Sequence, residues 1–285
     1  MSKYVYVNSR GESIDLCRRP LWVASFNPLR SYAYERVEQN GYFFGYTRRK
    51  NVEKQLTVQY YGNEFYRFRD EFYRVTNYDV VMNAYGILYD GEWFAVGNFP
   101  TESIDVYDKV RRMWTSQIGF FVPEEVWRRE VGSFIFTGDQ TDPSSVPAVP
   151  LANYPSNYPH GYVSGNLERI ITNDAAFPCP FTLTIDGACS NPAITISAQG
   201  GTGHVYNVNA DVGAGERLII DSMARTIGIY DAQNNLIQNA FADQNHDADK
   251  YVFEPLPVGD LSVRYQNIPS VTLTIYEERS AAKWS

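Results

Sequence analysis

The chain of 285 residues is predicted to be mainly β: an N-terminal α+β domain, a proline-rich connector and an all-β sandwich. Three observations carry this expectation. Short segments of alternating apolar and polar residues, separated by Gly, Asn, Asp and Pro, recur along most of the length. One stretch, NEFYRFRDEFYRV from Asn63, has clear helical spacing instead. Finally, Gly138–Tyr162 (GDQTDPSSVPAVPLANYPSNYPHGY) holds five of the fifteen prolines and little that could pack. Proline cannot donate into a ladder and biases its predecessor toward extended backbone, so this stretch reads as a semi-stiff connector. Charge divides at the same place, with Lys+Arg against Asp+Glu at 18 and 17 for residues 1–137 but 7 and 16 for 138–285. The expected organisation is a domain over 1–137, a linker over 138–161 and a second domain over 162–285.

In chain order, YVYVNSRGESIDL alternates, turns at Asn-Ser-Arg-Gly and alternates again, as a hairpin does. Further strands are predicted at Leu21–Phe26, Tyr42–Thr47 and Lys54–Tyr61. Asn63 then serves as an N-cap for a helix of about twelve residues. Its Phe65, Phe68, Phe72 and Val75 form an apolar stripe, and Arg67, Arg69, Asp70, Glu71 and Arg74 take the other side. The stripe is expected to cover a sheet. Strands resume at Asp79–Tyr89, with a turn at Asp90-Gly91, then at Trp93–Phe99, Val110–Val122 and Val126–Phe136. Strands crossed by one helix predict a small barrel or half-barrel. If the last two strands pair as a hairpin, Arg111-Arg112 and Arg128-Arg129 sit near its far end, as a solvated rim or as a docking surface for an acidic neighbour.

The second block predicts eight short strands: Phe181–Ile185, Ala193–Ala198, Tyr206–Val212, Arg217–Asp221, Thr226–Tyr230, Tyr251–Glu254, Asp260–Tyr265 and Val271–Tyr276. The turns between them include Asp-Gly, Asn-Pro and Gly-Gly-Thr-Gly. Such spacing indicates a sandwich or jelly roll.

No catalytic device is visible. His160, His204 and His246 stand apart from any nucleophile motif, and no P-loop or zinc-protease spacing occurs. Gly200–Gly203 joins two predicted strands, so it reads as a turn and lacks the helix N-terminus of a phosphate cradle. Asp243, Asn245, Asp247, Asp249 and Glu254 fall on the spacing of a calcium loop. Ala248 occupies the position needing glycine, however, and no helix flanks it, so a hairpin tip is the simpler reading. Cys179 and Cys189 flank a predicted strand that would hold them apart, and no disulfide is expected. No catalytic, cofactor-binding or metal-binding residue is therefore named, and no cofactor is expected. A net charge of −8 argues against a surface that grips nucleic acid. No apolar run spans a membrane. The start lacks a signal-peptide pattern, so synthesis and folding in a cytoplasm are expected. The 22 tyrosines suit half-buried strands and interfaces.

The order of segments carries a resemblance. Asp186-Gly187 precedes Asn191-Pro192-Ala193-Ile194-Thr195-Ile196, and Gly215-Glu216-Arg217-Leu218-Ile219-Ile220-Asp221 follows. A reversal at Gln233-Asn234-Asn235 comes next, then Pro257-Val258-Gly259-Asp260-Leu261-Ser262-Val263 and a last strand reaching Arg279. This resembles the C-terminal galectin-like domain of siphophage-type distal tail (Dit) proteins, although Asp260 stands where that family usually has Asn. The first block is similar as well, ending in Val122-Pro123 with Trp127 soon after. The resemblance implies a non-enzymatic structural protein of the virion tail tip, made in the bacterial host cytoplasm. It implies a homo-hexameric ring of N-terminal domains around the channel through which DNA passes, with no specific nucleic-acid binding. The ring would dock on the tail tube protein, and the galectin-like β-sandwich would meet tail-tip and receptor-binding proteins. Acids such as Glu124, Glu125 and Glu130 and the arginine pairs would supply complementary ring faces. The alternative is a carbohydrate-binding adhesion module of a phage or phage-like particle.

Overall fold

The computed structural model describes residues 4–32, 34–39, 42–49, 52–62, 65–108, 110, 113–124, 126–137, 169–198, 201–245, 247, 250–265 and 267–281. The chain divides into two compact units, one of residues 1–129 with 278–285 and one of residues 130–277. The division thus falls inside two strands, where the sequence places it in the connector. Residues 138–161 and His160 within them lie outside the described residues.

In the first unit, β1 (Tyr4–Val7) pairs antiparallel with β2 (Ser13–Asp15) as the opening hairpin predicts. β3 (Leu21–Val23) and a short helix α1 (Asn27–Arg30) follow. β4 (Tyr34–Gln39) and β5 (Tyr42–Arg49) pair, among the described residues, only with each other. After β6 (Val52–Tyr61) comes α2 (Phe65–Val81), then β7 (Gly86–Asp90), β8 (Trp93–Asp108), β9 (Met113–Val122) and β10 (Trp127–Thr137). The sheet runs β2-β1-β7-β8-β9-β6-β3. β8 serves three neighbours: its start pairs with β7 on one edge and with the first residues of β10 on the other, and its remainder pairs with β9. Pro100 sits in a register shift between Asn98 and Thr101, where the missing N–H costs no ladder bond. The two-residue β7–β8 connection holds Gly91 at φ 64°, a backbone region that favours glycine.

The predicted helix exists but is longer, 17 residues. Asn63, its expected cap, lies outside the described residues, and a strand starting at Asp79 is not formed. Phe68, Phe72, Val75 and Asp79 are buried at helical spacing. Burying each phenylalanine contributes roughly 1.5–3 kcal/mol. The intrinsic cost of placing Val75, Thr76 and Val80 in a helix is only ~0.5 kcal/mol each, so burial wins.

Asp79 pins the far end of the helix. Its carboxylate accepts hydrogen bonds from the Tyr6 hydroxyl, from Ser9 N at 2.9 Å and from Ser9 Oγ at 2.5 Å. Gly86 closes the same site, because a Cβ there would collide with the Tyr6 hydroxyl and the Asp79 carboxylate. Around Tyr6 the core is aromatic: Phe99 lies at 5.1 Å edge-on, and Phe99 in turn is 4.8 Å from Phe120 and 5.7 Å from Phe72.

β9 and β10 do not pair as a hairpin. β9 lies between β6 and β8, because the long β8 occupies its second edge. Arg128 is consequently buried and ion-paired to Glu124 at 2.8 Å and Glu278 at 3.0 Å. Arg129 lies over Trp93, 5.4 Å from the ring centroid. Arg111, Arg112 and Glu125 lie outside the described residues.

The second unit is a β-sandwich. Its strands are β11 (Arg169–Asn173), β12 (Phe181–Asp186), β13 (Cys189–Ser190), β14 (Ala193–Ala198), β15 (His204–Asn207) and β16 (Asp211–Val212), followed by β17 (Arg217–Asp221), β18 (Thr226–Tyr230), β19 (Leu236–Asn239), β20 (Gly259–Tyr265) and β21 (Ser270–Arg279). One sheet is ordered β19-β18-β17-β12-β21-β10 and the other β11-β20-β14-β15. Between them pack Phe181, Leu183, Ile194, Ile196, Leu218, Ile220, Leu261, Val263 and Leu273. Most predicted strands recur within a residue or two. The Tyr206–Val212 prediction divides into β15 and β16, and Tyr251–Glu254 is a turn with Val252 and Phe253 both buried, which an alternating strand cannot do. Cys17, Cys179 and Cys189 form no disulfide.

Two substitutions in the first core should move stability in opposite directions. Tyr6→Phe leaves the Asp79 carboxylate short of a donor and should cost about 1–3 kcal/mol in a urea melt. The Tyr60 hydroxyl is buried with no partner among the described residues, and Tyr60→Phe should be neutral or stabilising by about 1 kcal/mol. Alkaline pH is a second test. Burial, first of all, holds the phenols of Tyr4, Tyr6, Tyr60 and Tyr206 above their ordinary value, so the native state keeps protons that the unfolded chain releases. Their stabilisation is complete below the unfolded value near 10 and is lost as pH rises beyond it. Tyrosinate absorbance should therefore show a late fraction appearing together with loss of circular dichroism.

Candidate assembly surface

The residues with the chemistry of an interface gather in the first unit, on the outer face of α2 and the distal half of β8. Because the apolar stripe of α2 faces the core, Tyr66 and Tyr73 are turned outward and are more than half exposed. Ile104, Val106 and Tyr107 of β8 and Val110 beyond it are exposed too. Tyr66 and Tyr107 bring their hydroxyls to 3.4 Å, and the neighbouring Tyr107 raises the Tyr66 phenol above its ordinary value. Tyr107 packs 5.1 Å from Trp114, whose ring also carries the Arg69 guanidinium at 5.3 Å.

Arg69 is the hinge of this surface. Its Nη2 donates to Glu102 Oε2 at 3.1 Å, tying α2 to β8. Arg69 Nε and Glu102 Oε1 are buried and unpartnered among the described residues. Beside the pair runs a groove of about 300 Å³ whose walls include Phe72, Tyr73 and Asn77 from the helix and Phe99 and Pro100 from the strand. Exposed Tyr, Trp and Arg around apolar depressions are the composition of binding hot spots. The sequence marked Arg69 only as the polar side of a helix. Its neighbours Glu102, Tyr107 and Trp114 are distant in sequence and come together through the β8–β9 pairing.

The other candidates do not converge on chemistry. His204 Nε2 lies 2.8 Å from the Tyr251 carbonyl oxygen and its ring meets Tyr206 edge-on at 4.8 Å. Of the possible calcium ligands, Asp247 pairs with Lys250 at 3.0 Å, and Asp243 Oδ2 accepts from Gln238 at 3.2 Å. His246, Ala248 and Asp249 lie outside the described residues, as does Gly200. Among the described residues no three His, Cys, Asp or Glu gather as metal ligands, and no helix is long and apolar enough to cross a membrane. Glu130 lies in β10.

No protein-family model matches this chain, and no curated protein matches it in sequence. Solved structures do match in fold. A chain of the phage P2 baseplate in its activated conformation with calcium superposes with a TM-score of 0.62 at 11% identity, covering 99% of this chain and 100% of that one. The same baseplate with strontium gives 0.57 at 11% identity, with coverage of 99% and 100%. The Dit protein of phage SPP1, described as a paradigm of hub adsorption apparatus in phages infecting Gram-positive hosts, gives 0.53 at 9% identity, with coverage of 98% and 99%. The architecture is thus that of the baseplate and Dit hub proteins from end to end, a mainly β fold.

Weakening the Arg69 tie should be detectable without loss of fold. Arg69→Met keeps the packing on Trp114 but leaves Glu102 unpaired, so it should cost about 1–3 kcal/mol in a thermal or urea melt. The double variant Arg69→Met/Glu102→Gln should recover part of that loss.

Proposed function

We propose that this protein is a structural component of a phage tail, a distal tail hub that joins the tail tube to the tail-tip and receptor-binding proteins. The observation that carries this reading is the fold match over nearly the whole chain to baseplate and hub proteins, with both units included. The first unit is read as the ring-forming, tube-docking part. A closed ring needs two unlike but complementary faces on each copy. The α2–β8 surface supplies one, rich in tyrosine and apolar side chains. The β4–β5 hairpin is suited to the other, since an isolated two-stranded ribbon is marginal in water and gains by packing on a neighbour. The second unit, the acidic galectin-like sandwich, is read as the attachment point for peripheral proteins. Six copies surrounding a channel for DNA, synthesis in the bacterial host and residence at the virion tail tip belong to the same reading, as does the absence of an enzymatic step.

Negative-stain images and light scattering of the purified chain test this directly. The expected species is a six-fold ring, and a strictly monomeric protein at high concentration would overturn the reading. Tyr73→Glu places a charge on the exposed face of α2 without touching the core. It should weaken ring formation by about tenfold or more, ~1.4 kcal/mol, and leave the melting temperature of the monomer unchanged.

A further inference from the structure

One edge of the second unit's sandwich carries a run of exposed apolar side chains that its core does not use. β19 is the last strand of its sheet, and among the described residues no strand lies on its other side. All four of its residues are exposed, Leu236 and Ile237 by more than half. The register against β18 shifts between Ile229 and Tyr230, which makes Ile237 the extra residue of a bulge. Leu236 lies against Gly228, where a Cβ would meet its Cδ1 at 2.8 Å. Beyond β19 the ladder continues, Ala240 N donating to Ile227 O at 3.0 Å, so Phe241 stands at the end of the same edge. Phe241 stacks at 6.0 Å on the buried Phe253, and Tyr251 meets Phe253 edge-on at 5.7 Å. Both outer rings are more than a third exposed.

We infer that this edge docks an extended segment of another protein, about six residues long, whose apolar side chains are flanked by lysine or arginine. The inference rests on the reading of the second unit as an attachment point and supplies the chemistry of what attaches. The six residues from Leu236 to Phe241 span ~20 Å, which sets the length. Edge strands are commonly guarded by charge or proline, and Leu-Ile-Gln-Asn has neither. A strand added here would pair with the outer backbone groups of β19 and lay alternate side chains on Leu236 and on the Phe241 and Tyr251 rings. Exposed rings around a buried one form the apolar centre that such binding needs. Charge selects the flanks. Residues 231–260 contain six acids and one base, Lys250, which pairs with Asp247 at 3.0 Å. Asp231 lies in the turn leading into β19, and Asp243 lies just past Phe241. Hydrogen bonds from Asn235 hold the Asp231 carboxyl below its ordinary value, so that end of the edge stays charged. A second copy of this chain is disfavoured as the occupant, because pairing β19 with its mate would set acids against acids. Nucleic acid and an anionic membrane are disfavoured for the same reason.

Fluorescence anisotropy with labelled peptides tests the site on the full chain. The peptide KKVTVFVTKK is expected to bind with a Kd of about 100 μM or tighter at low salt. EEVTVFVTEE, with the flanks reversed, and KKVTPFPTKK, with the same charge but no capacity to pair as a strand, should each bind about tenfold or more weakly. Hydrogen exchange should slow at the amides of residues 236–241 when the first peptide is bound. Ile237→Lys, on the exposed edge, should weaken binding by about tenfold or more with an unchanged circular dichroism spectrum. Absence of binding by the first peptide, equal binding of the proline peptide, protection elsewhere, or an affinity indifferent to Ile237→Lys would overturn the inference. Self-association of the chain that Ile237→Lys abolishes would overturn it as well. Peptide binding does not require a ring, so failure of the hub reading and failure of this inference are read separately.

Discussion

The buried carboxylate of Asp79 is the constraint around which the first unit is arranged. It gathers Tyr6 from β1 and both donors of Ser9 onto the last turns of α2, and Gly86 is glycine because nothing larger fits beside that cluster. A carboxyl group at 0% exposure needs hydrogen-bond partners for its oxygens. The helix therefore cannot slide or roll without breaking those bonds together. Once its register is held, Phe68, Phe72 and Val75 must face the sheet, and Tyr66 and Tyr73 must face away. The candidate assembly surface follows from a polar contact inside the fold, with Arg69 and Glu102 making a second tie at the other end of the helix.

The second unit works by a different economy. Its interior is mainly aliphatic, with Phe136, Phe181, Tyr206, Phe253 and Tyr265 among the buried residues, and along most strands alternation assigns each residue to the core or to the surface. That regularity also orders the opposite face of the four-stranded sheet, since Asp260, Ser262 and Arg264 of β20 alternate with core residues and lie beside Thr172 and Ile170 of β11 and Ser197 and Thr195 of β14.

Much of this was legible in the chain. The strands of the second unit could be placed because period-two alternation and turn residues agree locally, as in Phe181–Ile185 and Arg217–Asp221. The apolar stripe of α2 was legible for the same reason, whereas its length was not. Val75, Thr76 and Val80 favour strand locally, and only the burial of Val75 and Asp79 carries the helix through them. A hairpin of β9 with β10, left open in the sequence because neighbours in the chain usually pair, does not form, since a 16-residue β8 lies along β9 instead. Likewise Val252 and Phe253, read as strand, are buried side by side in a turn.

The sequence by itself determined the mainly β class, the single amphipathic helix, the unlike charge of the two halves and the absence of any recognisable catalytic spacing. These are properties of residues within a few positions of one another, set by side-chain period and backbone preference. Tertiary structure decided which strands adjoin, where the unit boundary falls inside β10 and β21, and that Arg128 is a buried ion-pair partner. It also decided that Arg69 meets Glu102 and Trp114, and that Ser262 lies between Ile170 and Ser197. Each of these joins residues tens of positions apart, and only the long-range hydrogen bonds of a sheet and the closing of a core bring such residues together.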